Sequence, residues 1–335
     1  MVSTGLSLSD LIVATPQQIH PHLQKTTEQI QAFCHHHDIW LDNFDEYHTM
    51  AAYMFPRTSE DRLVTINILM DLLWFIDDYY TRERRDVHEN DHKALANAFK
   101  DGMKILLYGQ QPDQKDVWHD ACFDLRDQIL ALGGERWLFR LGRSLSKHLQ
   151  ATTYSLARIV EDGVLDVERY VAVREHDSGM QVAIDCVEFA CDIYIPDEVI
   201  DDPWVQTMRR HCANVGGLIN DLTSYHKEAE VGEERFNLIS VFMESEGVDF
   251  YTAVQKSIDL INEFIADFLH KEQHIPDFGS PAVNEMVARY VQGLKDHIGA
   301  SYHWQLNTNR YRSPDSPFPE LQTMLPAGHI GESAA

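Results

Sequence analysis

The stretch Leu218-Ile-Asn-Asp-Leu-Thr-Ser-Tyr-His-Lys-Glu228 lies within a helical pattern and carries polar oxygens at a regular spacing. Asn220, Ser224 and Glu228 follow one another at steps of four residues. Each helical residue turns about 100°, so a step of four drifts by only about 40°, and we expect the three side chains on one face at intervals of roughly 6 Å. An amide oxygen, a hydroxyl and a carboxylate form the hard, oxygen-only donor set that suits Mg²⁺. A solvated helix face would show the same pattern, so the rest of the chain must decide.

The composition indicates an acidic, globular protein. The chain has 335 residues, and its 44% of hydrophobic residues are enough to bury a substantial core. Asp and Glu outnumber Lys and Arg by 53 to 28, a formal charge of -25. This charge argues against nucleic acid or an anionic membrane as a partner. An anionic substrate would need metal ions to bind here.

The cysteines and the N-terminal residues suggest a reducing compartment. The five cysteines are odd in number and show no CxxC pairing, and the Met1 end carries no signal peptide and no transmembrane run. We therefore expect a reduced, cytoplasmic protein without membrane insertion.

Apolar periodicity predicts helices along most of the chain, and no stretch alternates as a strand would. Phosphate-binding glycine motifs and repeats of fixed period are absent from the sequence. The sequence therefore predicts one all-α domain over residues 1–335, with a lead-in segment at 1–20 and an irregular, proline-rich tail at 313–335. The predicted helices begin near Leu23 and continue at 63–80, 93–107, 116–131, 136–160, 166–188, 203–228, 236–245, 249–272 and 280–305.

A second group of carboxylates ends the apolar helix predicted from Leu63 to Tyr80. Asp77 and Asp78 come directly after apolar and aromatic residues, in the run Asp71-Leu-Leu-Trp-Phe-Ile-Asp-Asp-Tyr. Carboxylates in such surroundings are paired, metal-bound or at the mouth of a pocket, unless they mark the exposed end of the helix. Both interpretations remain open at this stage.

The helix predicted at 166–188 is interrupted at Asp177-Ser178-Gly179, residues that favour local turns over helix. Arg174 stands just before the break. Its guanidinium is the forked cation best suited to grip a phosphate. A surface arginine beside an ordinary helix kink is the alternative.

Taken together, these residues resemble the motifs of the microbial class I terpene synthases. Asp77-Asp78 resembles the aspartate-rich motif of that family, and residues 220–228 match its N-D-x-x-S-x-x-x-E motif. Arg310-Tyr311 matches its C-terminal Arg-Tyr pair, with Trp304 at the expected upstream position. The resemblance covers most of the chain and implies a single-domain helical bundle with a central active-site cavity.

Three further positions extend the resemblance. Arg174 lies 46 residues before Asn220, where the family has its diphosphate-sensing arginine. Asp177 and Ser178 fall at the positions of its linker and effector residues. In this family the Ser178 carbonyl would move toward the substrate when the arginine binds diphosphate.

The aspartate-rich motif departs from the family pattern at its third acid. Thr81 and Arg82 occupy the positions where that acid usually stands, and the nearest acid is Glu83. Six helical residues amount to a rotation of about 240°, so Glu83 would face away from Asp77 in a continuous helix. A metal-binding role is therefore assigned to Asp77 and Asp78 and left open for Glu83.

The resemblance implies a Mg²⁺-dependent cyclase of a linear prenyl diphosphate, with farnesyl diphosphate favoured over geranylgeranyl diphosphate. The product would be a hydrocarbon or an alcohol, and the homodimer is left open as an oligomeric state. Three Mg²⁺ ions would stabilise the departing diphosphate electrostatically, and donors from the chain would exclude water. The implied metal ligands are Asp77, Asp78, Asn220, Ser224 and Glu228, and the implied diphosphate donors are Arg174, Lys227, Arg310 and Tyr311.

Beneath the metal ions, the resemblance implies an apolar and aromatic pocket that protects a carbocation and stabilises it by cation–π attraction. Phe55, Leu73, Trp74 and Trp304 are its candidate wall residues. Ordinary core packing would equally explain Leu73 and Trp74. The Arg310-Tyr311 segment follows the last predicted helix, and we expect it to become ordered when an anion binds.

Two alternatives remain. A chain-elongating prenyl diphosphate synthase would carry a second aspartate-rich motif where this chain has Asn220, Ser224 and Glu228. A non-catalytic all-α binding protein would explain the helices and the acidity. It would not explain an oxygen ladder, an aspartate pair and a basic C-terminal pair together.

Overall fold

The architecture is helical throughout the part of the chain that is described. The computed structural model describes residues 5–40, 47–82, 90–161, 165–232 and 234–326, with the side chains of 77–82, 90–93 and 153–161 left aside. Within these ranges there are α-helices and short 3-10 helices and no strand, which confirms the all-α prediction. The α-helices are α1 Leu23–His36, α2 Tyr47–Met54, α3 Glu60–Arg82, α4 Asn90–Tyr108, α5 His119–Ala131, α6 Glu135–Glu161, α7 Val167–Asp177, α8 Met180–Ala190, α9 Asp197–Ile200, α10 Pro203–Val231, α11 Leu238–Glu246, α12 Phe250–Glu272 and α13 Pro281–Leu306.

Helix α10 is the central element of the bundle. Asp202 caps its N-terminus by accepting a hydrogen bond from the Trp204 backbone N–H, Pro203 occupies the first turn, and Gly232 ends it with φ of 77°. The helix contacts α7, α8, α11, α12 and α13. Its residues from His211 to Ile219 are all buried, so the middle of the helix is enclosed on every side, and the polar ladder begins directly after it.

The predicted helix break at residues 177–179 is confirmed. Helix α7 ends at Asp177, and α8 begins at Met180 after Gly179, whose φ is 73°. This left-handed conformation strains residues that carry a Cβ, so glycine is the favoured residue at the turn. The break lies directly against α10, because a Cβ built on Gly217 would stand 3.0 Å from the Ser178 Cβ. Gly217 thus permits the close approach of the two segments.

Two short helices were not predicted from the periodicity. Helix α2 places Tyr47 and Thr49 in the core beside α13, and α9 is a single turn that starts after Pro196. Helix α2 has only eight residues and is buried nearly all round, so it shows no amphipathic period that a sequence analysis could detect.

The terminal segments pack on the bundle and on each other. Leu8 and Leu11 of the lead-in segment are buried, and the 3-10 helix Pro319–Leu321 buries Leu321. The Ser7 hydroxyl donates a hydrogen bond of 2.5 Å to the Glu320 carboxylate. The described part of the tail is therefore irregular but docked. Among the described residues, no helix combines the length and the apolar character needed to span a membrane.

Candidate active site

The oxygen ladder of α10 has the geometry that its spacing predicts. The Ser224 hydroxyl donates a hydrogen bond of 2.6 Å to Glu228 Oε1, so these two side chains share one face. Asn220 lies one turn earlier, and its Oδ1 accepts a hydrogen bond of 3.0 Å from Arg174 Nη2. The ladder therefore runs from the arginine at the α7–α8 break to the carboxylate two turns along α10.

Arg174 joins the helix break to this ladder. Its Nε and Nη2 lie 2.9 and 2.8 Å from Asp221 Oδ1, and its Nη1 lies 3.2 Å from Asp177 Oδ2. With the contact to Asn220, the guanidinium engages three side chains through its three nitrogens. The surface-arginine alternative is excluded, because the Arg174 side chain is only 13% exposed.

Asp221 is the buried counterion of Arg174. It is 1% exposed and also accepts hydrogen bonds from the Tyr170 hydroxyl at 2.5 Å and the Leu238 backbone N–H at 3.2 Å. Burial raises the pKa of Asp221 to about 6, against the opposing effect of Arg174. The carboxyl thus links α7, α10 and the start of α11 at one point.

The C-terminal pair reaches the same site. The Asn220 Nδ2 donates to the Tyr311 hydroxyl at 2.9 Å and lies 3.4 Å from Gln305 Oε1. Arg310 lies in the same 3-10 helix, Asn309–Tyr311, which Thr308 caps through its side chain. Tyr311 is 7% exposed.

The segment that carries this pair packs on the rest of the chain, and its further ordering by a bound anion stays a prediction. Tyr311 is already docked on Asn220, and Arg312 donates hydrogen bonds to the backbone oxygens of Leu306, Glu320 and Thr323. These bonds fold the segment back on its own polypeptide.

An aromatic cluster lies beside the C-terminal pair. Tyr47 packs on Trp74 with ring centroids 3.8 Å apart, and on Trp304 at 6.4 Å. Trp304 meets Tyr311 edge-on at 6.3 Å, and its Nε1 donates to Thr49 Oγ1 at 3.0 Å. The Arg310 guanidinium lies 4.5 Å from the Tyr47 ring centroid. The cluster thus already stabilises a cation on an aromatic face.

The other two predicted wall residues lie apart from this cluster. Phe55 packs on His297, which precedes Trp304 by seven residues, or about 10 Å along the axis of α13. Leu73 lines a small cavity of about 20 Å³ between α3, α4, α5 and α6. One residue on a helix turns the side chain by about 100°, which is why Leu73 and Trp74 meet different neighbours.

The remaining predicted residues can be placed only in part. Asp77 and Asp78 belong to the last turns of α3, but their side chains lie outside the described part of the structure, and Glu83 is outside the described residues altogether. Lys227 precedes Glu228 on α10 and is partly buried. Ser178 caps the end of α7, and its hydroxyl accepts from the Met180 backbone N–H at 3.3 Å.

The donor set on α10 fits a hard divalent cation. The amide oxygen of Asn220, the hydroxyl of Ser224 and the carboxylate of Glu228 offer oxygen alone, which suits Mg²⁺ better than a metal that prefers nitrogen or sulfur. Among the described residues, no group of three His, Cys, Asp or Glu side chains forms a rival metal site. The ladder is therefore the candidate metal centre of the described chain.

Several residues of the site were not identified from the sequence. Asp221 stands inside the quoted motif, yet a buried counterion is not distinguishable there from a solvated acid. Gln305 and Asn237 are single polar residues without a spacing signal, and Tyr47 lies in the helix that periodicity missed. The adjacent glycines Gly216-Gly217 inside a long helix were a usable signal, because glycine pairs there usually permit a close approach.

The chain matches the profile described as terpene synthase family 2, C-terminal metal binding, over residues 69–267. It is 26% identical over 287 residues to 10-epi-cubebol synthase of Sorangium cellulosum (strain So ce56), an alignment that covers 82% of this chain and 86% of that protein. It is 28% identical over 252 residues to sesquiterpene synthase Agr3 of Cyclocybe aegerita, covering 75% of this chain and 64% of that one.

Solved structures share the fold. Linalool/nerolidol synthase from Streptomyces clavuligerus, in complex with 2-fluorogeranyl diphosphate, superposes with a TM-score of 0.76 at 20% identity, over 90% of this chain and 99% of that one. Germacradien-4-ol synthase from Streptomyces citricolor superposes with a TM-score of 0.73 at 18% identity, over 91% of this chain and 99% of that one. At such identities the likeness concerns the fold.

Proposed function

The chain belongs to terpene synthase family 2, and from that premise we propose that it is a Mg²⁺-dependent cyclase of farnesyl diphosphate. As a terpene synthase it is a lyase that releases diphosphate. The preference for a C15 substrate is supported by relatives whose names describe sesquiterpene synthases. We further propose that residues 1–335 form one catalytic domain.

One observation carries the proposal. Arg174, Asn220 and Tyr311 come from three separate segments of the chain and meet through direct hydrogen bonds beside Ser224 and Glu228. A forked cation, a phenol and an oxygen ladder at one point form a site for a metal-bound leaving group of high negative charge. A binding protein without this chemistry would have no need to bury Arg174 beside the ladder.

The reaction begins with heterolysis of the bond between C1 of the substrate and the diphosphate oxygen. The electron pair leaves with the diphosphate, and an allylic cation remains. Asn220, Ser224 and Glu228 would hold Mg²⁺ together with Asp77 and Asp78. Bound Mg²⁺ supplies charge stabilisation of the leaving group.

Protein side chains bind the diphosphate and shield the cation. Arg174 and Arg310 donate N–H groups to diphosphate oxygens, and the Tyr311 hydroxyl, now an acceptor from Asn220, can rotate its proton toward an anion. The rings of Trp74 and Trp304 would offer faces to the cation, and Tyr47, packed against both, would help to keep water away from it.

The test is incubation of the protein with C10, C15 and C20 prenyl diphosphates and Mg²⁺, followed by gas chromatography with mass detection. We expect a cyclic C15 hydrocarbon or alcohol from farnesyl diphosphate, with one diphosphate released per product. Parallel reactions contain isopentenyl diphosphate, and a longer diphosphate there would establish a chain-elongating synthase instead. Preferential turnover of the C20 substrate would contradict the assignment to farnesyl diphosphate. The Asn220→Ala variant is the control for the site, since it removes a candidate metal ligand and the side chain that joins Arg174 to Tyr311.

A further inference from the structure

Asn237 lies at the start of α11 and reaches into the candidate metal centre. It is fully buried, and its Oδ1 accepts a hydrogen bond of 3.0 Å from the Ile239 backbone N–H, which caps the helix. Its Nδ2 donates to the Asp221 backbone oxygen at 2.8 Å and to Glu228 Oε2 at 2.9 Å. All hydrogen-bonding groups of one side chain are therefore engaged.

Helix capping alone does not account for this residue. A cap requires one acceptor, which serine, threonine or aspartate supplies as well as asparagine. Asparagine alone among these residues adds an N–H₂ group with two donors to that acceptor. Both donors point to α10, one at residue 221 and the other two turns later at Glu228.

The second donor fixes the orientation of a candidate metal ligand. Ser224 donates to Glu228 Oε1, and Asn237 donates to Glu228 Oε2, so the carboxylate is held on both oxygens. The Asn237 amide is in turn held by the Asp221 backbone, which is part of the helix that carries the whole ladder. The Glu228 carboxylate is thereby locked relative to Asn220 and Ser224.

We propose that Asn237 is a positioning residue that sets the Glu228 carboxylate for binding Mg²⁺ together with diphosphate. The inference rests on the proposed function, since it concerns the same site. Removing a partner that orients a ligating carboxylate typically lowers metal affinity by about 10- to 100-fold.

The test uses Asn237→Ser, because serine keeps the capping acceptor and removes the donor to Glu228. The melting temperature is measured in inorganic diphosphate at increasing MgCl₂ concentration, and the readout is the Mg²⁺ concentration at which half of the rise has occurred. Calorimetric titration confirms this midpoint. We expect the midpoint to move to about 10- to 100-fold higher Mg²⁺. The matched control is Asp249→Ser at the exposed N-cap of α12, whose side chain accepts from the Thr252 N–H; its Mg²⁺ midpoint should equal that of the unmodified protein.

A second variant tests the donor of Asn237 more directly. Asn237→Asp keeps the shape and the cap but turns a carboxylate toward Glu228, so it should bind Mg²⁺ with diphosphate at least as poorly as Asn237→Ser. The inference is overturned if the Mg²⁺ midpoint of Asn237→Ser lies within twofold of that of the unmodified protein. It is also overturned if neither variant folds, because the role of Asn237 would then be purely structural. If the unmodified protein itself shows no response to Mg²⁺ and diphosphate, the proposed function fails rather than this inference.

Discussion

Replacing Arg174 by lysine separates the forked geometry of the site from its charge. In the structure the guanidinium contacts Asp221, Asp177 and Asn220 through different nitrogens. A lysine nitrogen can keep the ion pair with Asp221 but cannot also reach the other two side chains. If those contacts pass to diphosphate oxygens during ionisation, two charge-assisted hydrogen bonds of about 1.5 kcal/mol or more each are lost. At about 1.4 kcal/mol per tenfold change, kcat/KM should fall by roughly 100-fold.

The assay is steady-state release of diphosphate from farnesyl diphosphate, with the product profile measured by gas chromatography. Arg209→Lys is the matched control, since Arg209 on α10 is even less exposed than Arg174 and contacts Tyr290, Gln181 and Asp185, away from the ladder. It should lower the melting temperature by a similar amount and leave kcat/KM within a few-fold. The reasoning is refuted if Arg174→Lys retains kcat/KM within threefold, or if Arg209→Lys loses as much activity.

Three further predictions concern the fold around the site. Tyr311→Phe removes the acceptor of the Asn220 amide at 2.9 Å, so kcat should fall while the free energy of unfolding decreases by only about 1 kcal/mol. Unaltered turnover would contradict a role for the hydroxyl. Gly217→Ala places a methyl 3.0 Å from the Ser178 Cβ and should slow turnover even though alanine favours helix by about 1 kcal/mol; equal turnover would show that the close approach is dispensable. Burial lowers the pKa of His297 to about 4, so the unfolded chain takes up this proton below pH 6.5 while the native protein does not, and stability falls as the pH drops from 6.5 to 4. His297→Leu should therefore lose less melting temperature between pH 7 and pH 5 than the unmodified protein does.

The long helices were predictable because their apolar positions recur at helical spacing over several turns. Predicted bounds such as 203–228 and 249–272 agree with Pro203–Val231 and Phe250–Glu272 to within three residues. The break at Gly179 was predictable for a local reason, since Asp177, Ser178 and Gly179 all favour turns. Helix α2 was not predictable in the same way, because it is short and its burial depends partly on α13, which is distant in sequence.

For the site, a fixed helical spacing predicted which oxygens share a face, and the Ser224–Glu228 contact bears out that geometry. Spacing says nothing about partners contributed by other segments. Asp221 and Asn237 act through contacts that form only when α7, α10 and α11 pack together. The separation of Leu73 from Trp74 likewise depends on which neighbours surround α3.

The most direct measurement is a crystal structure of the protein with Mg²⁺ and diphosphate. We expect a metal ion at about 2.0–2.1 Å from oxygens of Asn220, Ser224 and Glu228, with N–H groups of Arg174 on the diphosphate. The Glu228 carboxylate should keep its hydrogen bond of 2.9 Å from Asn237. The account is contradicted if diphosphate binds elsewhere. It is also contradicted if Asn220, Ser224 and Glu228 hold no metal and Arg174 still donates to Asn220.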